Sequence, residues 1–191
     1  MKKIKKQARG RFRISQNLEF VLRDANGNIK QLFQLNKLGM FLRRFFGINV
    51  PNISLFGHFA NSMNISNLVV NAGLAGMASR LNGAGAEAAF TYIGIGTGTG
   101  AEALTDTALG TEITTNGGAR GAATASRVTT DVTNDTAQLV LTYNFTGSFA
   151  VTESGVFNAA SAGTMLARKV FSAINVASGD SLQITWKFDL D

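Results

Sequence analysis

Alternation of apolar and polar residues is clearest at the C-terminus of the chain. The apolar members of this run are Leu182, Ile184, Trp186, Phe188 and Leu190. This period of two predicts a strand with one buried face. A second alternating run covers residues 138–146, and weaker strand candidates lie at 90–96, 122–133, 155–158 and 164–171. Short strands at such spacing, with few helices between them, predict a mainly β fold: an antiparallel β-sandwich of jelly-roll-like type with one short helix.

Turn signals separate these strands. Asn26-Gly27 lies between the apolar stretches of residues 18–35 and predicts a hairpin, because both residues tolerate a positive φ. Asn116-Gly117, Asn134-Asp135 and Ser178-Gly179 predict further turns.

The short helix is predicted to start near residue 71. Asn71 is the expected cap, and Asn82-Gly83 is the expected stop. Val70, Leu74, Met77 and Leu81 are predicted to share one apolar face of this helix.

Residues 37–66 differ from this pattern. Leu38, Phe41 and Phe45 follow helical spacing, but no clear period follows them up to Phe59. Between residues 38 and 59 lie 12 large apolar residues, five of them Phe. Such a density requires burial, and the sequence leaves two alternatives: completion of the protein's own core, or an interface with another subunit.

Composition excludes several classes of site. The chain has 191 residues, 45% of them hydrophobic, with no cysteine and one histidine. This length suits one domain with an appended segment. Disulfides, thiolate nucleophiles and Cys-ligated metal sites are excluded, and so are sites that need several histidines.

Charge divides the chain into two parts. Residues 1–60 hold 12 of the 18 Lys and Arg residues and only two acids, a net charge of +10. Residues 61–191 hold six bases and ten acids, a net charge of −4. All 18 threonines lie between Thr91 and Thr185. The basic start is not followed by an apolar stretch, and the uncharged run 45–79 is rich in Asn, Gly and Ser, so neither a secretory signal nor a transmembrane segment is predicted.

Residues 1–16 are predicted to form a basic arm. Its cationic residues are Lys2, Lys3, Lys5, Lys6, Arg9, Arg11 and Arg13. Nucleic-acid phosphates, an anionic membrane surface and an acidic groove on a protein are all suitable partners, and a solubilising tail is the fourth alternative. Nucleic acid is not favoured, because Phe12 is the arm's one aromatic residue and single-strand binders interleave several.

Candidate chemistry is sparse. The run Gly94–Gly100 partly fits a dinucleotide-binding fingerprint but lacks the following helix, so a bent glycine loop is expected instead. No spacing selects a catalytic pair among the carboxylates, and an ordinary turn is favoured over a calcium site at Asp131 and Asp135. His58 lies between aromatic residues, where a packed or interfacial role is favoured over catalysis. No cofactor, metal or catalytic residue is predicted, and a glycan hydrolase rests on generic carboxylates alone.

Six short motifs follow one another along the chain. They are Asp24–Asn28, Asn67–Leu74, Tyr92–Gly98, Asp106–Leu109, Val151–Asn158 and Gly179–Trp186. Their order, with an Asn-Leu-Val-x-Asn-Ala-Gly-Leu helix start among them, resembles a recurrent module of tailed-bacteriophage structural proteins. The resemblance covers roughly residues 18–35 and 67–190.

This resemblance implies a β-sandwich-like structural module without enzymatic activity, which assembles with copies of itself and with other virion proteins. We therefore predict a virion protein with residues 1–16 as an arm, 17–191 as one β-sandwich domain and 37–66 as an inserted docking segment. Its position in the particle stays open between tail, neck, fibre and capsid surface. The alternative is a nucleic-acid-binding virion or accessory protein that uses the arm. Besides the arm's cations, the predicted docking residues are Phe41, Arg43, Arg44, Phe45, Phe46, Phe56 and Phe59.

Overall fold

The computed structural model describes residues 14–46 and 52–190. The elements over these residues are β1 (Ile14–Arg23), β2 (Ile29–Lys30), β3 (Leu32–Leu35), α1 (Lys37–Phe46), β4 (Gly57–Ala60), β5 (Met63–Ile65), β6 (Leu68–Val69), α2 (Asn71–Asn82), β7 (Tyr92–Gly96), β8 (Gly121–Ala122), β9 (Thr124–Val128), β10 (Thr136–Asn144), β11 (Phe149–Phe157), β12 (Met165–Val176) and β13 (Ser181–Leu190). The predicted mainly β fold is confirmed.

The first sheet joins the two ends of the described chain. Its strand order is β2-β1-β13-β10-β9, all antiparallel, and β5 also pairs with β1. β1 and β13 pair over ten residues, from Ile14 opposite Leu190 to Arg23 opposite Ser181. The alternation predicted for β13 is confirmed except at its end, where Leu190 is exposed.

The second sheet packs face to face on the first. Its strand order is β6-β12-β11-β7-β8, again antiparallel. Two polar contacts cross the otherwise apolar space between the sheets: the Tyr143 hydroxyl donates to the Ile93 carbonyl at 2.6 Å, and Trp186 Nε1 donates to Ser154 Oγ at 3.2 Å. Residues of both sheets form one buried cluster, which is the arrangement of a β-sandwich.

The predicted hairpin turn forms, but its geometry depends on a carboxylate. Oδ1 of Asp24 accepts the backbone N–H groups of Asn26 and Asn28, each at 2.9 Å. Of the two residues expected to tolerate a positive φ, only Gly27 adopts one, at +83°. The side chain of Asn28 donates a further hydrogen bond to Oδ2 of Asp24, at 3.1 Å. Together these hydrogen bonds lower the pKa of Asp24, and the bond from the Asn28 side chain has the largest effect.

The N-terminal cap predicted for α2 is wrong. Asn71 is the first residue of the helix, and the cap position belongs to Val70, which has no side-chain acceptor. The backbone N–H of Asn71 donates to the Leu104 carbonyl at 2.8 Å, so a neighbouring loop supplies the acceptor. The predicted stop is confirmed, with Gly83 in the left-handed conformation.

The apolar face predicted for α2 is also wrong in part. Val70 is fully buried, but Leu74 is 47% and Leu81 91% exposed. The buried residues of α2 are Gly73 and Gly76. A Cβ at Gly73 would overlap the backbone of β12, so the helix contacts the sheet through its glycines and turns its leucines outward.

The 37–66 segment is joined to the sandwich at its end. β3 and β4 form a separate two-stranded sheet, whereas β5 pairs with β1 and places Met63 in the core. α1 is a second helix, where the predicted fold had one. β1 begins at Ile14, so residues 14–16 belong to the strand and not to the predicted arm.

Candidate interaction surface

Asn36 fixes the start of α1. Its Oδ1 accepts the N–H of Gly39 at 2.9 Å, the bond of a helix N-cap. Its side-chain Nδ2 and its backbone N donate to the carbonyls of Leu55 and Phe56, at 2.9 and 2.7 Å. A Cβ at Gly39 would collide with the Phe56 carbonyl oxygen, so α1 lies directly against this segment.

α1 and the neighbouring segment leave large apolar side chains exposed. We call these side chains the Phe-rich surface: Leu38, Met40, Phe41, Phe45, Phe46, Ile53, Leu55 and Phe59. Phe45 and Phe46 are the most exposed members, at 68% and 64%. The Phe41 ring packs on those of Phe45 and Phe46, with centroids 4.8 and 5.8 Å apart. Of the two alternatives left by the sequence, completion of the protein's own core is therefore wrong for these side chains.

The structure brings part of the predicted docking set together. Phe41, Phe45, Phe46 and Phe59 belong to the Phe-rich surface, whereas Phe56 is half-buried beside α1. The remaining residues of the set that lie in described elements are Arg43 and Arg44, both in α1. The seven cations of the arm lie outside the described residues.

His58 lies beside this surface and not within the core. It is exposed on β4, opposite Gln34 of β3 in the strand register. The packed alternative for His58 is therefore wrong, and an interfacial role stays a prediction.

A second apolar feature lies along α2. Its exposed leucines line an open groove of about 850 Å³, together with Ile14 of β1, Leu190 of β13 and Arg80. Leu74 and Leu81 of the predicted face therefore line this groove, whereas Val70 lies in the core and Met77 packs against it.

The most buried charged group is Glu153 on β11, which has no exposed surface. Its two oxygens accept the N–H groups of Gly98, Gly110 and Thr111 at 2.8 to 3.0 Å. Arg168 of β12 donates two further bonds to Oε2, at 2.8 and 2.9 Å. Five donors thus hold one carboxylate, and they tie the loop after β7 to the outer face of the second sheet.

Electrostatics keep Glu153 ionised. Burial acts to raise its pKa, but hydrogen bonds from Thr111, Gly110 and Arg168 outweigh burial and lower the pKa below its usual range. Arg168 also pairs with Asp106 at 2.8 Å. Because every bond is satisfied within the protein, this network supports a structural role rather than acid–base chemistry.

Two glycines of the run 94–100 lie directly against Glu153. A Cβ at Gly96 or Gly98 would overlap the Glu153 carboxylate. None of these glycines has a positive φ. The predicted role of conformational freedom is therefore wrong, and close approach to a buried carboxylate is the reason for Gly96 and Gly98.

The Asp131–Asp135 segment forms the predicted turn. Asp135 accepts the backbone N–H groups of Thr130, Asp131 and Val132, and these bonds hold its pKa well below the usual range. Within the described part of the chain, no group of three or more His, Asp or Glu side chains has the arrangement of a metal site. Neither described helix has the length and apolar character needed to cross a membrane.

Comparison with protein-family models, curated proteins and solved structures found no match to this chain.

Proposed function

We propose that this chain is a structural protein of a tailed-bacteriophage virion, attached to neighbouring subunits through its Phe-rich surface and its N-terminal cations. The observation that carries the proposal is the exposure of five large apolar side chains on a single ten-residue helix. Contiguous exposed apolar surface of this kind is rare on monomeric proteins and marks sites of association.

The rest of the molecule supports a structural role. The buried polar cluster around Glu153 is fully satisfied by the protein's own donors. The order of sequence motifs resembles tailed-phage structural modules, and the mainly β sandwich agrees with what that resemblance implies. Assembly with copies of itself is part of the same proposal.

Incorporation into particles tests the proposal. We expect the double variant Phe41→Ser, Phe45→Ser to fold, because both side chains are already solvent-exposed. Virions grown from a genome that carries it should contain at least about tenfold less of this chain, a loss of about 1.4 kcal/mol or more in binding free energy. Quantitative mass spectrometry of purified particles measures this content, and its stoichiometry distinguishes capsid from tail positions.

The matched control is Leu104→Ser, Val132→Ser, which removes two exposed apolar side chains remote in sequence from α1. Normal content of the control and loss of the α1 variant support the proposal. Absence of the unmodified chain from purified virions contradicts it. Point substitutions are preferable to deletion of residues 37–66, because that deletion would also remove β5 and the buried Met63.

A further inference from the structure

Methionine is the side chain of this protein most open to oxidation by a peroxide. The chain contains no cysteine, whose thiolate such oxidants attack first, and it contains five methionines. The single tryptophan, Trp186, has no exposed surface. Because oxidation of a sulfur requires contact with the oxidant, exposure decides which methionine reacts.

Exposure separates the four methionines that the structure describes. Met40 of α1 is 48% exposed, whereas Met63 is 3% and Met165 0% exposed. Met77 of α2 is partly buried and packs against the core cluster. A peroxide in solution therefore reaches Met40 in the folded chain, whereas the sulfurs of Met63 and Met165 become accessible only when the fold opens.

Met40 also belongs to the Phe-rich surface. Its backbone N–H donates to the Asn36 carbonyl at 2.9 Å, which fixes it in the first turn of α1. It precedes Phe41, whose ring packs on two other Phe rings of this surface. Exposed Lys37 lies three residues earlier and so neighbours Met40 on the helix surface. Met40 therefore lies on a flank of the surface, about 100° round the helix from Phe41, where apolar side chains meet a cation.

Oxidation of Met40 changes a thioether into a polar group. The sulfur attacks one oxygen of hydrogen peroxide, so an S–O bond forms and the O–O bond breaks. The second oxygen keeps its hydrogen, takes the proton of the transferred hydroxyl and leaves as water. The two electrons that the sulfur loses reduce the peroxide. The product is a sulfoxide, whose oxygen accepts hydrogen bonds, so an apolar side chain has become a polar one.

We propose that Met40 is an oxidation site for peroxides, and that its sulfoxide weakens the association made through the Phe-rich surface. In the free chain the new oxygen is hydrated. A subunit that covers the surface must remove that water, and desolvation of a polar group without a new hydrogen bond opposes binding. The inference rests on the proposed function and adds a means by which the association is regulated. It concerns the surface of this chain, whichever subunit covers it.

Peroxide treatment followed by peptide mapping tests the oxidation site. The purified full chain is exposed to hydrogen peroxide, and mass spectrometry measures the sulfoxide fraction at each methionine over time. We expect Met40 to react at least about tenfold faster than Met63 and Met165, because a buried sulfur reacts only through opening of the fold. Equal reactivity of Met40 and the two buried methionines would overturn the proposal.

The same treatment of purified virions tests the coupling to association. We expect Met40 to react at least about fivefold more slowly in virions than in the free chain, because contacts around an interface exclude water and solutes. Met165, which is buried within the chain itself, is the internal control and should react at the same rate in both. Equal reactivity of Met40 in the two states would contradict the coupling.

Two substitutions at residue 40 separate polarity from loss of the methionine. Gln resembles the sulfoxide in length and polarity, whereas Leu stays apolar, and both are good helix formers. Virions that carry Met40→Gln should contain at least about fivefold less of the chain than those that carry Met40→Leu, because only the amide must be desolvated. Leu104→Gln, at an exposed residue outside α1, is the matched control and should leave the content unchanged. Equal content of the two residue-40 variants would overturn the proposal.

These outcomes separate the inference from the proposed function. Virions that contain the chain, with no protection of Met40 and no difference between the residue-40 variants, would overturn the inference alone. Absence of the unmodified chain from purified virions would overturn the proposed function and the coupling to association. The oxidation site is still tested in that case, because its reactivity is measured on the free chain.

Discussion

At the scale of single residues, Glu153 shows how a buried charge can organise a surface loop. Because the carboxylate is surrounded by five donors, its desolvation is offset by charge-assisted hydrogen bonds. The same interactions demand glycine at 96 and 98, since a side chain at either position would occupy the carboxylate's place.

Glu153→Gln should therefore destabilise the fold strongly. The amide removes the buried one of Arg168's two carboxylate partners, leaving Asp106, and presents N–H groups to backbone donors. We expect a loss of about 3–5 kcal/mol in the free energy of unfolding, as for removal of one partner from a buried ion pair. Urea unfolding followed by the fluorescence of Trp186, the single tryptophan, measures it.

Glu102→Gln is the control for this prediction. Its carboxylate pairs with Lys169 at a partly exposed position, where we expect a change of about 0–1 kcal/mol. Equal effects of the two substitutions would contradict the structural role assigned to Glu153.

Sequence alone gave no signal for this network. Glu153 is separated from its backbone donors by 42 to 55 residues, and the pattern around a single Glu in an apolar strand predicts that its side chain faces solvent. The glycine run is evident in the sequence, but the contact of Gly96 and Gly98 with Glu153 forms only in the folded chain.

At the scale of elements, α2 depends on the absence of side chains. Gly73 lies against the backbone of Leu166 and Gly76 against the ring of Phe90. Helix-face prediction assumes that the largest apolar residues mark the buried side. In α2 the smallest residues, Gly73 and Gly76, mark the buried side. The reason is that the helix backbone approaches its neighbours too closely for a larger side chain to fit between them.

Gly73→Ala should accordingly be destabilising, although Ala is the better helix former. The added Cβ has no room beside Leu166, and we expect a loss of about 1–3 kcal/mol, typical of overpacking. Thermal unfolding by circular dichroism measures it. Gly100→Ala, whose Cβ would meet open space, is the comparison and should change stability by less than about 0.5 kcal/mol. A Gly73→Ala variant as stable as the unmodified chain would contradict this account of α2.

The strands differ in how far their pattern could predict them. β13 and β10 each bury one face, so alternation identified both nearly to their ends. β11 is buried continuously from Val151 to Phe157, because the loop after β7 lies against its second face through Leu109 and Gly110. Continuous burial removes the alternation, and only residues 155–158 of this strand were predicted.

At the scale of the whole molecule, the two kinds of interaction lie in different parts of the chain. The ion pairs lie mostly in the β-sandwich, whereas the large exposed apolar side chains are densest in the 37–66 segment. The charge division and the density of Phe predicted a docking segment over residues 37–66, where the structure exposes large apolar side chains; that the segment docks stays a prediction. Which Phe side chains are exposed could not be predicted, since that depends on Asn36 holding α1 against residues 55 and 56.

Stability of the whole fold should fall on the acid side. The pKa values of Glu153, Asp135 and Asp24 are all lowered in the folded state. A lowered folded pKa contributes stability above the unfolded value, about 4 for these carboxyls, and that stability is lost as pH falls through the folded value.

The urea midpoint should therefore be level between about pH 7 and 5 and decrease steadily below about pH 4. Trp186 fluorescence at a series of pH values measures this midpoint. An unchanged midpoint down to pH 3 would contradict the lowered pKa values. Glu153→Gln should show a shallower decrease than the unmodified chain.

The pairing of β1 with β13 also sets the timing of folding during synthesis. The central strand of the first sheet, β13, comes last among the described elements, and its partner β1 comes first. Until β13 has left the ribosome, β1 and β10 lack the neighbour that lies between them. During synthesis, β1 and β10 therefore have unpaired edges toward each other until β13 emerges, and unpaired apolar edges of this kind favour aggregation.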